Sequence, residues 1–263
     1  MRKKFFTLIS TIYNKLYWWA KINLYKGKGT SHVHDVKIDD FEYKLCFLDQ
    51  PITANIVQRI EGRREPETLA IYKSIIKPGM KVLELGACFG EFTILLDHLV
   101  GNKGKLLSVE GTPNIFKILE KNFELNNLKN TNIHKLFISN NTEEVFFMKN
   151  DNHPYDAIDR LKGKKITEIS NDLVIQKSMK ISKFLDIHEF RPDVILMDIE
   201  GFEVDVLEDL FSDEGPSYKP IILFEIHEQL YDEKKNLDYL LNLLEVNNYH
   251  SVRISTNLFC YQR

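Results

Sequence analysis

Short apolar runs alternate with amphipathic stretches along most of this chain, and the two periodicities predict an α/β fold. The predicted strands lie at 82–85, 106–110, 132–138, 193–197 and 221–226, with an extended piece at 144–148. The predicted helices between and after them lie at 91–100, 113–126, 202–211 and 234–246. Strands separated by helices form parallel units in a sheet that is covered on both faces. Two closing strands, at 250–254 and 258–261, predict one antiparallel strand at or near the end of this sheet.

The first 25 residues follow a different pattern, with apolar side chains at helical spacing, many aromatic residues and basic flanks. The polar residues Asn14, Lys15 and Lys21 interrupt the stretch, which argues against a membrane-spanning helix of about 20 apolar residues. No small-residue cleavage site follows, which argues against a signal peptide. Two hypotheses stay open: the helix packs on protein, or it makes a peripheral contact with a membrane surface through residues 1–25. The apolar stripe consists of Phe5, Leu8, Ile9, Ile12, Leu16 and Trp19.

Between this segment and the main series, a short linker at 27–31 precedes a predicted hairpin at 36–38 and 41–47. Helices are predicted at 52–61 and 66–76, the second with a proline in its first turn. We therefore divide the chain into an amphipathic segment at 1–28, a hairpin and helix extension at 29–64, and a main domain at 65–263.

The composition excludes several classes of protein. With 35 basic and 38 acidic residues among 263, the net charge is −3, which argues against a chain-wide nucleic-acid surface. The three cysteines form no CxxC pair, so no zinc site is expected and a reducing compartment fits. A cytoplasmic protein is predicted, and the membrane hypothesis for residues 1–25 would place that contact on the inner face of the membrane.

A glycine turn follows the first strand of the series, in the segment from Glu84 to Gly90. The order strand, glycine turn, helix allows a ligand to approach the backbone closely at a helix N-terminus. The spacing GxxxG differs from the GxGxxG of nicotinamide-binding proteins, which makes an oxidoreductase a weaker alternative. Glu110 ends the next strand, where a carboxylate can accept both hydroxyl groups of a ribose. The two features together predict a nucleoside-containing ligand.

Acidic residues and one histidine follow the later strands. Asp198 and Glu200 come after the strand at 193–197, and His227 comes after the strand at 221–226. In open α/β sheets ligands bind beyond the carboxyl ends of the strands, so we expect these three side chains in one site. His227 titrates near neutral pH and is the predicted proton acceptor, with Asp198 and Glu200 positioning it or the substrate. A divalent metal ion held by Asp198 and Glu200 is the alternative.

These motifs resemble the FkbM family of S-adenosylmethionine-dependent methyltransferases. The matching segments are ELGACFGEFT at 84–93, VEGTP at 109–113, MDIEGFE at 197–203 and FEIHE at 224–228. The resemblance implies a Rossmann-like sheet of seven strands and O-methylation, often of sugar hydroxyl groups in glycans or natural products. It also implies that Glu84, Gly86, Ala87 and Gly90 contact the methionine part of the cofactor and Glu110 its ribose. Thr112 and Ser139 would lie near the adenine.

Several alternatives stay open at this point. The acceptor is expected to be a small molecule, a glycan or a lipid-linked sugar. One alternative is methylation of a nitrogen or a carboxylate. Another is a protein that binds the cofactor without catalysing a reaction. The segment 152–155, NHPY, is faintly similar to a signature of DNA methyltransferases but lies in the wrong part of the series, so no nucleic-acid partner is predicted. Residues 150–176 match the family poorly and are expected to set substrate specificity. The oligomeric state is left open.

Overall fold

The computed structural model describes residues 15–26, 32–140, 144–148, 173–213 and 215–262. The strands are β1 (His34–Ile38), β2 (Phe41–Leu45), β3 (Lys81–Leu85), β4 (Lys105–Glu110), β5 (Thr131–Lys135), β6 (Phe137–Ser139), β7 (Glu144–Met148), β8 (Leu173–Lys180), β9 (Val194–Met197), β10 (Ile221–Glu225), β11 (Tyr249–Ile254) and β12 (Asn257–Gln262). The helices are α1 (residues 15–26), α2 (Ala54–Ile60), α3 (Pro66–Ile75), α4 (Glu91–Val100), α5 (Pro113–Asn126), α6 (Ile181–Ile187), α7 (Glu203–Leu210) and α8 (Leu237–Val246).

The central sheet has seven strands in the order β11-β12-β10-β9-β3-β4-β5. Strands β10, β9, β3, β4 and β5 pair in parallel. Strand β12 runs antiparallel to both of its neighbours, β10 and β11. The fold class predicted from the sequence, a mostly parallel seven-stranded sheet with one antiparallel strand, is confirmed. The central strands are almost wholly buried, as expected for a parallel sheet with helices on both faces.

The strand predicted at 132–138 is two strands, and this prediction was wrong. Strand β5 pairs with β4 only as far as Lys135, opposite Glu110, where β4 ends. The chain then leaves the central sheet, and β6 pairs with β8 and β8 with β7 in a separate three-stranded sheet. The sequence analysis predicted neither β8 nor α6. Most of the segment expected to set specificity, 150–172, lies outside the described residues.

The N-terminal extension packs on the main domain. Side chains of β1, β2 and α2 share one hydrophobic cluster with Phe89, Ile94 and Ile115 from the central series. Helix α1 adds Trp18, Ile22 and Tyr25 to this cluster, so one of its faces contacts protein. Burial of this kind stabilises by about 25 cal/mol per Å² of apolar surface, which explains why the extension adheres to the main domain.

The opposite face of α1 is apolar and exposed to solvent. Leu16, Trp19 and Leu24 are 61 %, 67 % and 61 % exposed, at positions that share one side of the helix. Residues 1–14, which carry the rest of the predicted stripe, lie outside the described residues. Within the described part of the chain, no helix has the length and apolar character needed to cross a bilayer.

Candidate active site

Three strand ends lie side by side in the centre of the sheet. Leu85 of β3 is paired with Met197 of β9, and Met197 is paired with Phe224 of β10. The residues that follow in each strand, Gly86, Asp198 and Glu225, are therefore neighbours at the carboxyl edge. The backbone N–H of Asp198 donates to the carbonyl of Leu85 at 3.0 Å, which fixes this register. The parallel register thus brings the glycine loop next to the acidic residues.

Gly86 occupies a position that only glycine suits. Its φ is +88°, and a Cβ atom there would lie 1.9 Å from the backbone carbonyl oxygen of Asp198. The loop is also held to β4, because the N–H groups of Gly86 and Ala87 both donate to the carbonyl of Val109, at 2.9 and 3.0 Å. The sequence argument attributed the glycine to a close approach by the cofactor. The structure shows a close approach by the backbone of Asp198.

Glu110 connects the glycine loop to the following loop. One carboxylate oxygen accepts from the N–H of Cys88 at 2.9 Å, and the other accepts from the N–H of Thr112 at 2.6 Å. Burial raises the pKa of Glu110, while these backbone hydrogen bonds lower it and so limit the shift. The side-chain hydroxyl of Thr112 and the N–H of Gly111 also lower this pKa by hydrogen bonding, so the carboxylate of Glu110 is held mainly by the two loops.

The carboxylate of Glu84 forms hydrogen bonds with buried side chains of the protein itself. One of its carboxylate oxygens accepts from the hydroxyl groups of Thr93 at 2.7 Å and Ser108 at 2.6 Å. Burial raises the pKa of Glu84 to about 7, against the lowering effect of these two hydrogen bonds. Glu84 therefore joins β3 to α4 and β4 behind the loop, and its predicted contact with the methionine part of a cofactor stays a prediction.

The other predicted cofactor residues lie in different elements of the fold. Gly90 caps α4 with φ +88° and without a side-chain hydrogen bond, and Thr112 precedes α5. Ser139 is buried on β6, outside the central sheet. The roles of Thr112 and Ser139 at an adenine stay predictions.

His227 lies between acidic residues on two sides. Its Nδ1 is 3.0 Å from an oxygen of Glu203, at the start of α7. Its Nε2 is 3.5 Å from an oxygen of Asp198 and 3.5 Å from an oxygen of Glu200. The structure therefore brings Asp198, Glu200 and His227 together, as the sequence predicted. Glu200 takes the left-handed conformation with φ +51°, and backbone strain of this kind is often found at functional sites.

The surroundings of His227 favour its charged form. Burial by itself lowers the pKa of His227, but the hydrogen bond to Glu203 and the charges of Glu203, Asp198 and Glu200 outweigh it and raise the pKa to about 9. Desolvation, and then the charge of Glu225, raise the pKa of Asp198 to about 8. The nearby carboxylates therefore favour a proton on both ring nitrogens of His227. Its role as proton acceptor stays a prediction and requires loss of this proton first.

Two acidic residues of the site were not singled out from the sequence. Glu203 and Glu225 both lie within the quoted motifs MDIEGFE and FEIHE, but neither was given a role. The signal for Glu225 was its spacing of two from His227, which places both on one side of an extended chain. Glu203 could not be found in this way, because its contact with His227 joins α7 to the end of β10.

The extension also reaches the glycine loop, through Arg59 of α2. Arg59 is 3 % exposed, forms an ion pair with Glu91 at the start of α4, and has its guanidinium 5.0 Å from the ring centroid of Phe89. Asn55 accepts a hydrogen bond from its Nε at 2.8 Å. No pattern in the sequence pointed to Arg59, since the ion pair joins residues 32 positions apart.

Comparison with known proteins agrees with this geometry. The family model described as the methyltransferase FkbM domain matches residues 84–251, well over half of the chain. The chain belongs to the FkbM methyltransferase family. It is an S-adenosylmethionine-dependent methyltransferase, and the resemblance seen in the sequence motifs is confirmed. A search among curated proteins gives no significant match.

The solved structures that resemble this FkbM-family chain are distant from it in sequence. Aeropyrum pernix fibrillarin, solved with natively bound S-adenosylmethionine, is 10 % identical over 88 % of this chain and 84 % of its own, with a TM-score of 0.46. A ribosomal protein L11 methylase from Lactobacillus delbrueckii subsp. bulgaricus is 13 % identical over 88 % of this chain and 99 % of its own, with a TM-score of 0.45. A SAM dependent methyltransferase from Aquifex aeolicus is 16 % identical over 74 % of this chain and 87 % of its own, with a TM-score of 0.39.

The residues at the strand ends fit the cofactor of the FkbM family. Glu110 ends β4 beside the glycine loop, the position at which nucleoside-binding sheets place an acid for the ribose hydroxyl groups. The start of α4, which has no side-chain cap at Gly90, offers backbone N–H groups to a carboxylate such as that of methionine. The loop from Gly86 to Gly90 and Glu110 would therefore hold S-adenosylmethionine.

Proposed function

We propose that this FkbM-family methyltransferase methylates a hydroxyl oxygen of a sugar in a glycan, a glycolipid or a glycosylated natural product. The observation that supports this is the position of Asp198, Glu200, Glu225 and His227, named here the strand-end cluster, beside the glycine loop. A hydroxyl group is a poor nucleophile at neutral pH and requires a group that removes its proton as the new bond forms. Groups that can accept a proton therefore belong next to the cofactor loop.

The chain's own residues divide the work in this proposal. When bound, S-adenosylmethionine supplies an electrophilic methyl group. One group of the strand-end cluster accepts a hydrogen bond from the acceptor O–H, which orients the hydroxyl oxygen for in-line attack. The proton of the hydroxyl passes to this cluster, with His227 as the group predicted from the sequence and Asp198 as the second choice.

Transfer of isotope-labelled methyl to a cell extract tests the proposal. We expect label in a sugar-containing product that survives mild alkali, because an ether resists hydrolysis and a methyl ester does not. Mass spectrometry should then find an increment of about 14 Da on the sugar. Release of the label by alkali would indicate a carboxylate acceptor. Label on an amine would indicate a nitrogen acceptor. Either result would contradict methylation of a hydroxyl group. Absence of any transfer would favour a cofactor-binding protein without activity.

We also propose that the exposed face of α1 places the enzyme at an anionic membrane surface, where a lipid-linked acceptor would be found. Trp19 with Leu16 and Leu24 forms an apolar face, and Lys15 and Lys26 at the two ends of the helix suit anionic headgroups. The other face of α1 is held on the main domain by Trp18 and by the ion pair of Lys21 with Glu61.

Replacement of Trp19 by glutamate is expected to reduce flotation with vesicles of phosphatidylglycerol and phosphatidylcholine by at least about threefold, because it places a negative charge in the face of α1 that would enter the membrane. Val246, on α8, is 64 % exposed and serves as the matched control. Val246→Glu should float like the unmodified protein. Equal flotation of all three proteins would contradict a membrane contact through α1. If the unmodified protein dimerises with rising concentration and Trp19→Glu does not, this face binds a second copy of the chain instead.

A further inference from the structure

We infer that the strand-end cluster binds a divalent metal ion, with Asp198, Glu225 and His227 as its protein ligands. One ligand atom from each of these residues lies within 4.8 Å of the others, a spacing that one cation can bridge after small side-chain movements. The fold fixes this arrangement, because Asp198 and Glu225 follow paired positions of β9 and β10. Glu225 replaces Glu200 in the ligand pair that the sequence suggested.

The orientation of His227 is the second observation. Glu203, which is 0 % exposed, binds Nδ1 at 3.0 Å and so directs Nε2 toward Asp198. Histidines that bind metals commonly donate their other ring N–H to a carboxylate in this way, which fixes the tautomer and raises the basicity of the ligating nitrogen. The His227 side chain is 9 % exposed, and within the described part of the chain its Nε2 has no hydrogen bond, only the two carboxylates at 3.5 Å.

The local charge also favours a cation. Five carboxylates interact around Asp198 and His227, against three basic side chains. The acidic residues are Glu65, Asp198, Glu200, Glu203 and Glu225, and the basic residues are Arg59, Arg64 and His227. A group of like charges in a partly desolvated site is unfavourable, and a divalent ion compensates it.

Carboxylate and imidazole ligands together suit Mn²⁺, Mg²⁺ or Zn²⁺. Three protein ligands leave coordination positions open, and the Asp198 side chain is 43 % exposed, so oxygen atoms of an acceptor can reach the ion. This deepens the proposed function and rests on a hydroxyl acceptor, since a bound cation makes a hydroxyl group more acidic. His227 is then a ligand, which leaves Glu200 as the nearest carboxylate that can accept the proton.

Electron paramagnetic resonance of Mn²⁺ tests the site without any activity measurement. Titration of the metal-free full-length protein with Mn²⁺ alone should remove the free-ion signal of one ion per chain. Asp198→Asn and Glu225→Gln should each weaken binding at least about 100-fold, and Glu203→Gln about 10- to 100-fold, the usual effect of losing the partner of a ligating histidine. Glu228 is adjacent to His227 in sequence but forms an exposed ion pair with Arg253, so Glu228→Gln is the control and should bind normally.

Equal affinity in Glu225→Gln and Glu228→Gln, or no loss of the free-ion signal at millimolar Mn²⁺, would overturn the inference. Thermal unfolding of each variant separates loss of the site from loss of the fold. The failure of this inference and the failure of the proposed function are distinguishable. Methyl transfer to a hydroxyl that persists in EDTA would refute a catalytic metal and leave the O-methyltransferase proposal intact. Mn²⁺ binding without methyl transfer to a hydroxyl would contradict the proposed function and leave the metal site intact.

Discussion

Replacement of His227 by alanine is expected to lower the turnover number by about 10²- to 10⁴-fold, the usual contribution of a general acid or base. The Nε2 atom of His227 faces Asp198 and Glu200, so its removal takes away the group that acts on the acceptor hydroxyl or holds the ion beside it. The affinity for S-adenosylmethionine should stay unchanged, because the glycine loop and Glu110 lie on β3 and β4. Single-turnover rates and calorimetric titration with the cofactor measure the two effects separately.

A second variant separates chemistry from stability. His227→Ala also takes one hydrogen-bond donor from the buried carboxylate of Glu203, which keeps the N–H of Gly201 at 3.2 Å, and this loss costs stability. The amide nitrogen of His227→Asn can replace Nδ1 and keep this hydrogen bond, while Nε2 is still lost. We expect His227→Asn to unfold near the normal temperature and to be as inactive as the alanine variant. Near-normal turnover in both variants would contradict the prediction and transfer the role to Asp198.

Replacement of Gly86 by alanine is expected to weaken the binding of S-adenosylmethionine by at least about 100-fold, and replacement by valine to abolish it. The added Cβ would lie 1.9 Å from the carbonyl oxygen of Asp198, and backbone atoms on both sides would have to move. A displacement of about 1 Å near a reacting centre costs about 10²-fold. Calorimetry with the cofactor measures the affinity.

Gly79 provides a matched control for Gly86. Its φ of +91° is nearly the same as the +88° of Gly86, but a Cβ atom there would be 4.0 Å from the nearest atom, the Cβ of Lys103. Gly79→Ala should therefore cost only about 1–2 kcal/mol of left-handed strain in the free energy of unfolding and leave cofactor affinity normal. Equal loss of affinity in both variants would show that strain, and not contact with Asp198, explains the glycine.

The sequence predicted the elements of the central sheet because its inner strands bury both faces. Runs such as 82–85 and 221–226 are apolar except for Glu84 and Glu225, and the helices between them carry regular apolar stripes, so periodicity separates the two. It failed at 132–138, where one predicted strand spans two observed strands. The change of sheet at Leu136 depends on where β4 ends, which is not a local property of this run.

Local sequence therefore determined the fold class, the glycine loop, and the group of residues that follow the strands. Tertiary structure decided how these residues meet. The parallel register placed Gly86 against Asp198 and Asp198 next to Glu225, helix α7 brought Glu203 to His227, and α2 brought Arg59 to the start of α4. The physical reason is that propensity and periodicity act over a few residues along the chain. Hydrogen bonds, ion pairs and close backbone contacts between elements depend on positions in space that the whole core must first fix.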